Sequence, residues 1–375
     1  MNFKVSSTAL YSHLTTASKV MASKNSMAIL DCFLFDVKDN TITITASDSE
    51  KYFITQVPLF EQSENARFCI PAKTIMDSIK ELAEQPLTIE FNPDTLSIKG
   101  YHSSGTFGVM AQDAAPYPVP NTVKEECTRL NIPAETLLNG INNCLFATAN
   151  DEVRLVMNGI YIDVKPDSLT FASTDGRKLV RNIVNSVKSE FESGFILPKK
   201  VASILKTVLN KDSGNIELMF NSDKACIKTE SIVMHFSLIE GRYPNYNGVI
   251  PANNPYRAVI DRTALASALK RVSVFCNQSS NLVKLELSQS SLKITGQDFE
   301  YATNAEEFLS CEYNGNPIHI GFSCNFLIEI LNILDSESVS IELADPSRPG
   351  VIRPVKDNAE DDILMLLMPM RVEDY

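Results

Sequence analysis

Ser168–Val180 reads SLTFASTDGRKLV. The run Ser168–Ala172 has strand-like content, Leu179–Val184 has the same, and Thr174-Asp175-Gly176 lies between them. A glycine after an aspartate between two apolar runs marks a hairpin, because glycine takes positive φ without a Cβ penalty. Taken alone the stretch is a turn. Its weight comes from recurrence. The same strand running into aspartate occurs as Thr43–Asp48 (TITASD), Thr170–Asp175 (TFASTD) and Lys293–Asp298 (KITGQD), roughly 125 residues apart.

Three more markers recur in the same order around it. Each unit opens with a strand running into a helix: FKVSSTALYSHLTTASKVM from Phe3, LNIPAETLLNGINNCLFAT from Leu130 and AVIDRTALASALKRVSVF from Ala258. After the aspartate comes a second strand and helix: FCIPAKTIMDSIKEL from Phe68, FILPKKVASILKTVL from Phe195 and IHIGFSCNFLIEILNIL from Ile318. An alternating strand pair closes the unit: LTIEFNPDTLSIKG from Leu87, IELMFNSDKACIKTE from Ile216 and VSIELADPSRPGVIRP from Val339, turning at Asn92, Asn221 and Asp345. Tyr117-Pro118 and Tyr243-Pro244 form one further repeated pair. The pattern predicts three α+β units of two helices and many antiparallel strands each, at 1–127, 128–255 and 256–375. Each unit is large enough to own a core.

The chain has 375 residues, 44% of them hydrophobic and 21% charged, which is ordinary for a globular protein. The opening MNFKVSSTALYSHL lacks a signal-peptide layout, and no run approaches 18 apolar residues, so a cytoplasmic protein without membrane contact is expected. The eight cysteines form no C-x-x-C and predict buried free thiols. Net charge is −12, against a nucleic-acid partner taken whole, but the positive charge is segregated. Candidate helices carry Lys19, Lys24, Lys199, Lys200, Lys206, Lys211, Arg262, Lys270 and Arg271, while strands and loops are strongly acidic. If the six helices share one face, that face suits a phosphate backbone.

Motifs for catalysis are missing. His13, His102, His235 and His319 fall in no metal-binding spacing, and there is no phosphate loop, G-x-G-x-x-G or nucleophile elbow. The acidic clusters Glu125-Glu126, Glu306-Glu307 and Glu360-Asp361-Asp362 read as solvated charge. No catalytic residue, metal or cofactor is expected. The chain end, Ile363–Val372 (ILMLLMPMRV), reads as a core strand followed by Met-Pro-Met, and methionines give an adaptable lining to surfaces that accept several apolar partners. A groove for a short linear peptide is the reading of that end.

Four stretches carry a family resemblance: STDGRKL (Ser173–Leu179), LIEGRYPNYNGVIP (Leu238–Pro251), IGFSCNFLIEILNIL (Ile320–Leu334) and LMPMRV (Leu367–Val372). With the three repeats, the whole chain resembles the bacterial beta sliding clamps, the processivity subunits of replicative DNA polymerases. The resemblance implies three clamp domains of two helices and two antiparallel sheets each, and a head-to-tail homodimer closing into a ring around double-stranded DNA. It implies partners that bind by short peptides: the replicative polymerase subunit, the clamp loader, other polymerases and repair proteins. By the family pattern Lys24, Lys73 and Lys199 face DNA, and Lys200 and Arg154 are additions from this sequence. The implied cleft wall is Met157, Thr174, Gly176, Arg177, Leu179, Pro244, Val249, Leu367, Met368, Pro369, Met370 and Arg371. Val274 and Phe275, with Val109, are the expected ring seam. Gly248 stands where the family commonly has Arg, and Arg177-Lys178 where it has His-Arg, which predicts a changed rim charge and peptide preference. The tail Glu373-Asp374-Tyr375 extends past the usual end and is expected to modulate access. Two other classes remain open from the residues alone: a peptide-binding scaffold that never encloses DNA, and a metal-dependent nuclease built on acidic residues.

Overall fold

The computed structural model describes residues 1–61, 63–120, 122–123, 127–356 and 361–372. Glu125-Glu126, Glu360 and the tail 373–375 lie outside the described residues. In the first repeat the order is β1 (Asn2–Ser6), α1 (Ser7–Ser18), β2 (Cys32–Lys38), β3 (Thr41–Ser47), β4 (Lys51–Pro58), β5 (Ala66–Pro71), α2 (Ala72–Ile79), β6 (Pro86–Asn92), β7 (Ser97–His102) and β8 (Gly105–Met110). The second runs β9 (Thr128–Pro133), α3 (Ala134–Cys144), β10 (Gly159–Lys165), β11 (Ser168–Thr174), β12 (Lys178–Val184), β13 (Ser193–Pro198), α4 (Lys199–Val208), β14 (Asn215–Phe220), β15 (Lys224–Lys228) and β16 (Ile232–Ser237). The third runs β17 (Tyr256–Asp261), α5 (Arg262–Ser273), β18 (Leu282–Ser288), β19 (Ser291–Asp298), β20 (Thr303–Ser310), β21 (Glu312–Tyr313), β22 (Ile318–Ser323), α6 (Cys324–Ile333), β23 (Ser338–Leu343), β24 (Gly350–Val355) and β25 (Asp361–Leu367). The expected α+β repeat, two helices and two antiparallel sheets each time, is what forms; β21 is an extra short strand on the third copy.

The recurring aspartate has one job in all three copies. Asp48 Oδ1 accepts from the Glu50 and Lys51 amides, Asp175 Oδ1 from Arg177 and Lys178, and Asp298 Oδ1 from Glu300 and Tyr301. Each closes the hairpin after β3, β11 or β19 by a side-chain-to-backbone turn. The residues that close the β6–β7 and β14–β15 connections do the same: Asn92 accepts from Asp94 and Thr95, and Asn221 from Asp223 and Lys224. Helix starts follow equally local rules. Ser6 caps α1 through the Ala9 amide and Asp261 caps α5 through the Ala264 amide, each worth about 1 kcal/mol. Helix α1 then buries Leu10, Leu14 and Ala17 at i, i+4 and i+7.

Sheet order repeats as faithfully as the sequence. Each copy makes one sheet in the order of β1-β6-β7-β8 and another in the order of β5-β2-β3-β4. Neighbouring copies fuse these sheets edge to edge. Strand β4 pairs with β16, Thr55 opposite Ile232, giving eight continuous strands. Strand β12 pairs with β25, Leu179 opposite Leu366, giving nine. Among the described residues, two edges of the same kind have no partner: β8 of the first copy and β20 of the third.

The chain divides into two compact units that differ from the sequence repeats. One comprises Met1–Glu135 with Ser203–Leu238, the other Thr136–Ala202 with Ile239–Tyr375. The fused sheets explain this, because each draws half of the second repeat to a neighbour. Seven of the eight cysteines are buried free thiols and Cys127 is half-buried. Helices α1 and α4 end sooner than the sequence pattern predicts. Lys19, Lys24 and Lys211 therefore fall beyond helix ends. Arg262 donates to the Leu331 and Ser336 carbonyls, where it caps α6, and Arg271 forms a bidentate pair with Glu307. Part of the helices' positive charge is thus structural.

Candidate peptide-binding cleft

The β11–β12 turn is built for rigidity. The Thr174 hydroxyl donates to the Lys178 carbonyl at 2.7 Å and accepts from the Gly176 amide at 3.0 Å. Gly176 has φ of 88°, which any other residue adopts at a cost. A Cβ there would also sit 3.2 Å from Arg154 Nη1. Gly176→Ala is expected to lower stability by about 1–2 kcal/mol, read as a fall in Tm. An unchanged Tm would mean the turn relaxes freely.

Aromatic residues hold this turn from beneath. The Thr174 amide donates to the Tyr243 hydroxyl at 3.1 Å, and Tyr243 stacks on Tyr161 with ring centroids 5.1 Å apart. Burial pushes the Tyr243 hydroxyl well above the usual phenol range, so it stays protonated. Tyr246 donates to Asp163 at 3.1 Å. Ala172, Leu179, Ile196, Leu364 and Leu366 pack with both tyrosines, and Val156 and Ile250 lean on the group. The repeated Tyr-Pro pair is a signal for this pillar: Tyr117 is likewise buried, reaching the Thr45 carbonyl in β3.

The expected wall residues assemble around that pillar in two classes. Met157, Thr174, Leu179 and Leu367 are buried and form a floor. Gly176, Arg177, Pro244, Val249 and Met368 are exposed above it, Val249 at 55%. The Met368 amide donates to the Arg177 carbonyl, which brings the chain end against the turn. Pro369 and Met370 follow, and the Met370 amide donates to the Gly321 carbonyl. Arg371 leads away from the turn and lines a separate depression over β18 and β19. Gly248 lies within the one-turn helix Tyr246–Val249 capped by Asn245, so the missing arginine leaves the Val249 rim uncharged at that position.

Arg154, named above among the DNA-facing residues, sits on the loop before Leu155–Met157, against Gly176 and so beside the candidate cleft. Its guanidinium pairs with Asp151 at 2.8 Å. The Arg154 and Val153 amides, and then the guanidinium, hold the Asp151 carboxyl down at about 2. This group is depressed below its unfolded value of about 3.9, so its contribution is complete above pH 4 and is lost as pH falls toward 2. The Val153 and Arg154 amide shifts should titrate with a midpoint near 2; a midpoint near 4 would contradict the contact.

Sequence reasoning also passed over Lys178. It is 5% exposed, with Nζ 2.6 Å from Glu329 of α6 and lying over the rings of Phe326 (4.2 Å) and Phe146 (5.1 Å). It links the second repeat's turn to the third repeat's helix. The substitution from the family's usual arginine was the available signal.

The remaining predicted residues lie elsewhere. Lys73 is exposed on α2, Lys199 and Lys200 start α4, and Lys24 is on the loop after α1. Lys199 Nζ reaches Asn150 Oδ1 at 3.1 Å. Val274 and Phe275 follow α5, 77% and 39% exposed. Val109 lies on the edge strand β8, 7% exposed and paired with buried Ile98, while Met110 beside it is open. Among the described residues no cluster of three His, Cys, Asp or Glu is placed to hold a metal ion. No helix among them is long and apolar enough to cross a membrane.

Three family models match in succession: the N-terminal domain of the DNA polymerase III beta subunit over residues 1–121, its central domain over 131–245 and its C-terminal domain over 247–371. The chain belongs to the DNA polymerase III beta subunit family. As a beta clamp it is a processivity factor of DNA replication and not an enzyme. The beta sliding clamp of Haemophilus influenzae is 27% identical over 373 residues, spanning 99% of this chain and 100% of that one. That of Rickettsia bellii is 28% identical over 383 residues, spanning 98% and 99%. The crystal structure of the DNA polymerase III subunit beta from Pseudomonas aeruginosa superposes with a TM-score of 0.91 at 25% identity, covering 99% of this clamp and 100% of that chain.

Proposed function

We propose that two copies of this clamp join head to tail through β8 and β20 and enclose duplex DNA in the cytoplasm. The observation that carries this reading is the unpaired pair of edges. Strand β20 is the third copy's counterpart of β4 and β12, and β8 is the first copy's counterpart of β16 and β25. The chain has already joined such edges twice. A β20-to-β8 junction between copies would repeat the same pairing and leave no edge of this kind open, which removes the aggregation hazard of these two exposed strands. Six repeats would then close by one rule, as in a head-to-tail dimer whose rotation closes.

In that ring Lys24, Lys73, Lys199 and Lys200 meet phosphates without reading bases, so the clamp slides. The cleft of floor, rim and Arg154 receives short peptides from the replicative polymerase, the clamp loader, other polymerases and repair proteins. Clamps loaded on nicked circular DNA should stay bound through gel filtration and leave when the circle is linearised. Equal release from both would sink the reading. Lys199→Glu with Lys200→Glu should slow loading severalfold near 0.1 M salt and matter less at 0.5 M, where screening has removed most of the attraction.

A further inference from the structure

We propose that the third repeat's free sheet carries a second docking groove, on the face turned away from α5, that receives the flank of a partner peptide anchored in the cleft. This rests on the peptide-cleft reading above.

The groove arises from sheet register. One cross-strand row reads Gly321–Lys284–Thr295–Glu306 over β22, β18, β19 and β20. Gly321 is short enough for the chain end to lie over it, and Thr295 is short, so the floor between is sunk at Thr295. The adjacent row, His319–Glu286–Lys293–Phe308, stands higher. One wall is the chain end itself: a Cβ at Gly321 would lie 2.7 Å from the Met370 carbonyl oxygen and from Val372 Cγ2, so the end is laid directly on β22. The opposite wall is Phe299, 66% exposed after β19. The space between measures about 680 Å³.

Its chemistry points to an extended peptide with an apolar side chain and a carboxylate. Leu282, Phe299 and Val372 offer apolar surface. Most of the charge inside is already matched, because Lys293 reaches Glu306 at 2.7 Å and Glu286 at 3.8 Å, and Lys284 reaches Glu286 at 3.3 Å. Arg371 is exposed at the cleft end, and among the described residues no carboxylate lies in ion-pair range of it. Thr295 Oγ1 is covered and has no hydrogen-bond partner among the described residues.

Continuity selects the occupant. Met368 is bonded to the cleft turn, and Arg371, three residues on, lines the groove. Three extended residues span about 10 Å, so a peptide leaving the cleft enters the groove without a linker. Anchoring raises the flank's effective concentration to the millimolar range, so a shallow groove contributes without being a strong site by itself.

The test uses the full-length clamp and two synthetic peptides from the replicative polymerase subunit of the same cell. One is the shortest segment that binds, and the other is that segment with eight native residues added at each end. The longer peptide should bind 5- to 10-fold more tightly. Phe299→Ala, and separately Gln297→Trp to fill the groove, should remove that gain and leave the short peptide's Kd and the Tm unchanged. A short peptide that binds with no gain from lengthening, or a gain that survives both substitutions, overturns the groove alone. A short peptide that does not bind overturns the cleft reading and the groove with it.

Discussion

Val274→Asp together with Phe275→Asp is expected to convert the dimer into folded monomers and abolish retention on circular DNA. Both side chains are exposed at the end of α5, and α5's last turn is tied to the open strand β20 by the bidentate Arg271–Glu307 pair. They lie three and four residues past Arg271, exposed beside that tie. Apolar anchors at the centre of an interface are each worth about 2 kcal/mol or more, and burying a new unpaired carboxylate adds to the loss. A total of about 4 kcal/mol raises the dimer dissociation constant nearly a thousandfold. The monomer's Tm should hardly move, because neither side chain is in its core. Sedimentation equilibrium reads the constant directly, and an unchanged value would remove these residues from the seam. Val109→Asp makes the contrast: it would damage the first repeat's own core before it reported on any junction.

The second large effect is expected at Lys178. Its ammonium is enclosed by Phe146 and Phe326 and paired with Glu329. Glu329 keeps water on one side, which limits the ion pair itself to about 1 kcal/mol. The enclosed ammonium over two rings adds about 1–2 kcal/mol. Lys178→Met keeps the stem and should cost about 2 kcal/mol. Lys178→Glu puts a second carboxylate against Glu329 in an aromatic setting and should cost about 3–5 kcal/mol. The peptide affinity should fall with it, at least tenfold, because Lys178 supplies the backbone that fixes Thr174 and Asp175. Combining Lys178→Glu with Glu329→Lys should recover part of both losses. If peptide affinity is unchanged in a folded Lys178→Glu chain, the turn does not depend on this link.

Much of the fold was legible because the signals are local. Asp48, Asp175 and Asp298 close hairpins through amides two and three residues on, so their recurrence is visible in sequence and its cause is visible in the hydrogen bonds. The candidate cleft's rim and floor were named only through family resemblance. Its supports were not: Tyr161, Phe146 and Glu329 are ordinary residues until packing brings them to the turn. The placement of Arg154 was not legible because a lone arginine has no local signature; packing brings it to Gly176, more than twenty residues away. Helix charge was overestimated for the same reason, since Arg262 and Arg271 are engaged by groups that sequence spacing does not connect.

The sequence by itself determined the threefold repeat, the two helices per repeat, the turn chemistry and the polymerase-clamp family, because each rests on patterns within a few residues or on whole motifs. Tertiary structure alone decided which edges are joined and which are left open. It also decided that Lys178 ties the turn to α6, and that the chain end leaves the cleft for the face of the last sheet. The physical reason is common to all three. Strand pairing and buried charge contacts couple residues far apart in the chain, and their partners are selected by packing and register.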